Sequence, residues 1–272
     1  MNYPIIDAHC HIYPDKIADK AVEAIGQFYD LSMYYDGRYS TLIEHGAKIG
    51  VKHYVIFSVA TTPKQVHSIN TFIADTVRTS EGIMTGLGAL HPDSETIEED
   101  IAEIISLGLK GVKMHPDFQK FNIDDEKCYK IYEMCQKSNL PVLLHTGDHR
   151  YDYSNPQRMK KVLDDFPKLT VIGAHFGGWS CWKEAAATLS SYKNFYVDCS
   201  SSFDWLTADE SRELVRAYGA DHVLFATDFP MWSHQTELEH FKAMNLTQAE
   251  QESILYKNAL GLFSIDESKV LL

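Results

Sequence analysis

Ile5-Ile6-Asp7-Ala8-His9-Cys10-His11 is the stretch whose reading decides the fold. Two apolar residues lead in, and Asp7, His9 and His11 then alternate with small or apolar residues. In a β-strand the side chains at i, i+2 and i+4 share one face. As a strand, this segment gathers one carboxylate and two imidazoles on one side, with Ala8 and Cys10 on the other. Such a cluster is costly to bury unless a cation sits among its members, and imidazole is the commonest protein ligand of zinc-like ions. The competing reading is an amphipathic edge strand with two solvated histidines.

Outward from this stretch the chain alternates apolar runs with helical patterns. Strands are expected at 5–11, 53–59, 83–90, 109–115, 142–146, 170–175, 195–199 and 223–228. Helical periodicity is expected at 15–29, 41–49, 63–79, 124–137, 182–189 and 207–218. Asp93 or Ser94 caps a further helix that closes at Gly108, and Pro156 starts another at its first position. Thr247 and Glu250 have capping-box spacing for a last helix through Leu260. Eight strands, each followed by a helix, in about 250 residues have the dimension of a (β/α)8 TIM barrel. An open doubly wound sheet is the competitor, weakened because no GxGxxG follows the first strand. No linker or charge block divides the chain, so residues 1–272 are expected to form one domain. The segment Tyr34-Tyr35-Asp36-Gly37-Arg38-Tyr39 follows no period. It reads either as a lid over a site or as a loop packed on the body.

A formal net charge of −13 argues against nucleic acid and anionic membrane surfaces as partners. No apolar run approaches the ~18–20 residues that span a bilayer. Met1-Asn2-Tyr3-Pro4 leads directly into the first strand, so no signal peptide is expected. The five cysteines (Cys10, Cys128, Cys135, Cys181, Cys199) lack CxxC spacing. Free thiols in a cytoplasmic protein are the expectation. Cys128 and Cys135, two helical turns apart, are expected on one buried helix face.

In a barrel of this kind functional groups sit at the C-terminal ends of the strands. The first strand ends in His9 and His11, the fourth in Lys113 and His115, the fifth in His145, the sixth in His175 and the eighth in Asp228. Scattered core histidines would not favour one end. His9, His11, His145 and Asp228 together make a nitrogen-rich set suited to Zn²⁺, with Mn²⁺ or Fe²⁺ as alternatives. His175 is the candidate for moving a proton beside such an ion, with Asp228 as an alternative shuttle. Asp7 is expected to hold an imidazole in orientation.

These five segments resemble the amidohydrolase superfamily, on the branch that includes aminocarboxymuconate-semialdehyde decarboxylase and γ-resorcylate decarboxylase. The resemblance rests on Asp7-Ala8-His9-Cys10-His11, Gly111-Val112-Lys113-Met114-His115-Pro116, Leu144-His145-Thr146-Gly147, Ala174-His175-Phe176-Gly177-Gly178 and Ala226-Thr227-Asp228-Phe229-Pro230. It implies that His9, His11, His145 and Asp228 hold the metal. It also implies that His175 handles the metal-bound water or binds a second ion. In binuclear members a carboxylated lysine bridges two ions, and Lys113, His145 and His175 match those roles. In the mononuclear decarboxylase branch Lys113 would instead meet a substrate carboxylate, and a plain salt bridge at the barrel mouth is the third option. One ion is favoured over two. A homodimer is a further implication.

On the substrate side, His115, His149, Arg150 and Trp179 are the candidate binding residues, with Arg158 beside them. Trp182, Phe229 and Trp232 add flat walls. Convergent cations among aromatic walls suit a small carboxylated or aromatic molecule. His91, His222, His234 and His240 carry no pattern and read as structural or solvated. The first functional expectation is a divalent-metal-dependent hydrolase acting on a C–N or C–O carbonyl centre. The second is a non-oxidative decarboxylase on the same site, and the third an inactive barrel used as a binding protein.

Overall fold

The computed structural model describes residues 3–271, so Met1 and Asn2 of the expected lead-in lie outside the described residues. Eight parallel strands follow one another around a closed wall: β1 (Ile5–His11), β2 (Val51–Phe57), β3 (Met84–Gly86, resumed at Gly88–Ala89), β4 (Val112–Met114), β5 (Val142–Leu144), β6 (Val171–Gly173), β7 (Phe195–Asp198) and β8 (Val223–Leu224). Each pairs in parallel with the next. Across the break in β3, Leu87 N–H donates to Ile56 O and Gly88 N–H to Gly111 O. The last strand returns to the first through Ala8 N–H to Phe225 O at 3.0 Å and a parallel bridge between Cys10 and Phe229. This closure makes the structure a (β/α)8 barrel rather than an open sheet.

The strands are buried on both faces, which is why they read as apolar runs rather than as alternating sequence. Along β1 every residue from Ile5 to His11 is buried, polar ones included. The simple two-face alternation expected there is broken by register shifts at Ile5/Ile6 and between Asp7 and Cys10. Several expected strands end earlier in the structure. His115 leaves β4 and instead caps the single turn Pro116–Gln119, accepting from Phe118 N–H.

Helices pack outside the wall at Asp15–Tyr29, Tyr39–Ile49, Val66–Thr79, Ile97–Ser106, Glu126–Ser138, Pro156–Asp165, Trp182–Leu189 and Ala208–Tyr218. The helix after Asp93 begins later than its capping residues suggested, with Thr96 as the flanking residue. The helix His234–Ala243, capped by Ser233, has no counterpart among the expected elements. Its sequence, HQTELEHFKA, alternates charged and apolar residues without a clear stripe. The Thr247–Glu250 capping box forms as expected. Cys128 and Cys135 are both buried, and all five cysteines are free. Among the described residues no helix is long and apolar enough to cross a membrane.

His53 on β2 shows what burial inside this wall does to a titrating group. Its Nε2 meets Thr85 Oγ1 at 2.9 Å, and loss of solvent lowers its pKa to about 4. The unfolded ring protonates near 6.5. Between these values the unfolded state holds more protons, so stability is full above pH 6.5 and is lost as the pH falls through 4. Replacing His53 by Gln is expected to flatten this acid limb by about 2–3 kcal/mol at pH 4.5, read from urea midpoints at pH 7 and pH 4.5.

Candidate active site

All of the polar strand ends emerge at one end of the barrel. His9 Nε2 lies 3.2 Å from His11 Nε2 and 3.3 Å from Asp228 Oδ1, and His11 Nε2 lies 3.5 Å from the same oxygen. The three side chains form one buried group with metal-ligand spacing. Lys113 Nζ, itself buried, stands 3.4 Å from His9 Nε2. Burial lowers the Lys113 amine strongly, although Asp228 and Asp198 pull the other way. Burial likewise raises the Asp228 carboxyl, against the hydroxyl of Ser201, which donates to Oδ2 at 2.5 Å. Trp232 in turn donates its indole N–H to that hydroxyl at 2.7 Å.

His145 stands outside this tight group, beside His175. His145 Nδ1 faces His175 Nε2 at 3.1 Å, and its Nε2 lies 3.1 Å from Asp117 Oδ2, off the line of a hydrogen bond. His175 stacks near His9, with ring centroids 5.3 Å apart, so the four imidazoles make one chain across the barrel mouth. Burial lowers the pKa of His9, His11 and His175, keeping each ring neutral near pH 7. The turns that aim these groups use left-handed backbone: φ is 60° at His175, 53° at Asp228 and 49° at Ser201. Such conformations in non-glycine residues cost of order 1 kcal/mol or more each and gather where a site demands them.

Asp198 is the residue that sequence reading missed. It accepts from His9 Nδ1 at 2.8 Å, from Ser200 Oγ at 2.6 Å and N–H at 3.1 Å, and from His175 N–H at 3.2 Å. It therefore fixes the His9 proton on Nδ1 and leaves Nε2 bare toward the cluster. Asp7, expected to do this, does not: it accepts from the N–H and hydroxyl of Thr227 and faces His234. Asp198 ends an apolar strand, Phe195–Asp198, as the other site residues do, and that was the available signal.

The donor set fits a divalent cation. The bare His9 Nε2, His11 Nε2 and a carboxylate oxygen converge within 3.5 Å, and His11 Nδ1 has no hydrogen-bond partner. Lone pairs so arranged repel unless a cation or shared proton lies between them.

The cavity above the cluster is lined by Tyr29, His115, Phe118, Trp179 and Trp205, with Leu31 and Met33 from the segment after the first helix. His115 and Trp179 thus reach the cavity as expected, but His149 and Arg150 do not. His149 is exposed and bonds Ser180. Arg150 grips Asp148 through Nε and Nη2, donates to Phe28 O at 2.9 Å, and lies against the rings of Phe28, Tyr29, Tyr151 and Trp179. Arg158 is held by Asp124 and Asp152. Trp182 bonds Ser202, and Phe229 is fully buried in the core. The tyrosine-rich segment packs on the body: Tyr34 and Tyr35 N–H donate to Met231 O and Pro230 O.

The loops after β5 and β6 are fastened together by Trp179 N–H to Thr146 O and Asp148 N–H to Trp179 O, both 2.8 Å. Gly147 sits between them with φ +87°, where a Cβ would lie 2.4 Å from Trp179 backbone atoms. Only glycine permits this approach.

The family model described as Amidohydrolase matches residues 6–265, and the chain belongs to this family. A γ-resorcylate decarboxylase from Polaromonas sp. (strain JS666 / ATCC BAA-500) is 25% identical over 124 residues, spanning 39% of this chain and only 37% of that one. Two solved structures share the fold over nearly the whole chain. One is an uncharacterized TIM-barrel protein from Bordetella bronchiseptica, with TM-score 0.79, 21% identity, and coverage of 96% of this chain and 98% of that one. The other is a dihydroxybenzoic acid decarboxylase from Polaromonas sp. JS666 with bound manganese and the inhibitor 2-nitroresorcinol. Its TM-score is 0.73 at 15% identity, over 96% of this chain and 97% of that one.

Because Asp198 is fully buried and satisfies donors from three residues, Asp198→Ala is expected to destabilise the fold by about 3 kcal/mol. The shift in urea midpoint checks this, and an unchanged midpoint would contradict the hub role.

Proposed function

We propose that this protein is a divalent-metal-dependent, non-oxidative decarboxylase of a small aromatic acid. The observation that carries the reading is a cluster of bare donors at the floor of an aromatic-walled cavity, with the Lys113 amine buried beside it. In this reading His9, His11 and Asp228 hold the ion, with His145 joining them from its place beside His175. The ion, when bound, supplies Lewis-acid attraction for substrate oxygens; Mn²⁺ and Zn²⁺ both suit the donors. Manganese in the Polaromonas structure supports that choice.

The chain's own residues divide the remaining work. Trp179, Trp205 and Phe118 flank a flat ring, exclude water and limit its tilt. Lys113, the one cationic side chain among the described residues lining the cavity, meets a substrate carboxylate. Asp228 or His175 relays a proton from solvent to the ring carbon as the bond to CO₂ breaks, whose electron pair remains on that carbon. Asp198 keeps the His9 ring from turning.

The rival reading is hydrolysis at a carbonyl centre, the first expectation from the sequence. The neutral His175, its Nδ1 3.0 Å from Ser200 Oγ, favours it, because its Nε2 can accept a proton from water. The decarboxylases among the relatives weigh toward the first reading.

Metal analysis of protein purified without added ions, followed by an assay with Mn²⁺ or Zn²⁺, separates these. About one equivalent of metal per chain is expected. CO₂ release from a dihydroxybenzoate is expected, and His11→Ala should lose both. Retained metal with ¹⁸O from water entering the product of a lactone or amide panel, and no CO₂, would favour hydrolysis. A metal-free protein inactive after reloading would sink both.

A further inference from the structure

Tyr29 ends the first helix and lines the cavity, half-buried. Its hydroxyl oxygen lies 3.0 Å from His115 Nε2. The proton on that contact can be assigned. His115 Nδ1 accepts the backbone N–H of Phe118, so this nitrogen carries a lone pair and no hydrogen. A ring whose Nδ1 accepts a hydrogen bond carries its proton on Nε2 and donates it to Tyr29. Stacking between His145, 4.1 Å away at 8°, and Phe118, 3.8 Å away at 11°, stops the ring from turning to exchange its nitrogens. Tyr29 Oη is therefore an acceptor toward His115, and its own hydrogen has no acceptor among the described residues.

The mounting of Tyr29 is equally definite. Arg150, anchored on Asp148, donates to Phe28 O and lies over the Tyr29 ring at 5.2 Å. The arginine that sequence reading assigned to a substrate anion instead holds the end of this helix against the cavity. With Arg150 and Arg158 both paired elsewhere, anion recognition at the outer side of the cavity falls to neutral donors.

We propose that Tyr29 is a specificity-determining residue whose hydroxyl, oriented by His115, donates a hydrogen bond to an anionic oxygen of the substrate, either its carboxylate or a ring phenolate. This rests on the aromatic-acid reading above and deepens it: the site would select ring acids bearing an oxygen toward the first helix. Removing such a donor to a charged oxygen weakens binding by about 10- to 100-fold.

The test uses the manganese-loaded protein and its Tyr29→Phe variant, with ligand binding read from quenching of Trp179 and Trp205 fluorescence. Three probes are titrated: γ-resorcylate, benzoate and resorcinol. A loss of about ten-fold or more in the variant is expected for γ-resorcylate, at unchanged metal content and melting temperature. A matching loss for benzoate assigns the carboxylate as partner, and one for resorcinol assigns the ring oxygen. Wild type and variant binding every probe equally would overturn the role of Tyr29 while leaving the aromatic-acid reading intact. Failure of the wild type to bind any of the three would overturn that reading, and this inference with it.

Discussion

Everything at this barrel mouth depends on three lone pairs pointed at one spot. Two neutral imidazoles and a carboxylate have been taken out of water and set within 3.5 Å of one another. The fold holds His9 and Asp228 there through a shell of hydrogen bonds. Asp198 holds His9, Ser201 holds Asp228, and Trp232 holds Ser201. This desolvated set demands compensating positive charge, from a cation, a shared proton or the Lys113 amine beside it. The left-handed turns at His175, Ser201 and Asp228 show that backbone strain has been accepted to meet it.

The same logic governs how the chain uses its other charges. Arg150, Arg158 and Arg38 each have an acidic partner near in sequence, Asp148, Asp152 and Asp36. Their guanidiniums tie loops to the barrel rather than reaching a ligand. In the proposed reading, recognition near the cluster rests on Lys113 and on neutral donors, a division that restricts what can bind. A highly charged ligand would find few fixed counter-charges here, whereas a flat ring with one or two oxygens finds walls and hydrogen bonds.

The fold was legible because parallel barrel strands are buried on both faces and so appear as short apolar runs at regular intervals. That the residues ending those runs gather at one rim was legible for the same reason: a histidine after Leu143-Leu144 or an aspartate after Phe225-Ala226-Thr227 has few other reasons to be there. Less legible were features made by neighbours distant in sequence. The helix His234–Ala243 lacks an apolar stripe, so its existence depends on packing against the barrel rather than on its own pattern. Arg150 looked like an anion site because two residues of spacing do not reveal that Asp148 turns back to claim it. Asp198 rather than Asp7 steadies the His9 ring, because the Asp7 carboxylate is taken by Thr227 and the backbone N–H of His9.

The sequence by itself determined the barrel, the rim on which chemistry gathers and most of the donors that gather there. Period and position along a strand are local properties, readable without coordinates. Only the tertiary structure decided which nitrogen of each ring is bare, which carboxylate steadies which imidazole, and that Tyr29 stands at the cavity with a proton to give. Those outcomes are set by contacts between groups tens to hundreds of residues apart, at distances where a change of one ångström makes or breaks a hydrogen bond.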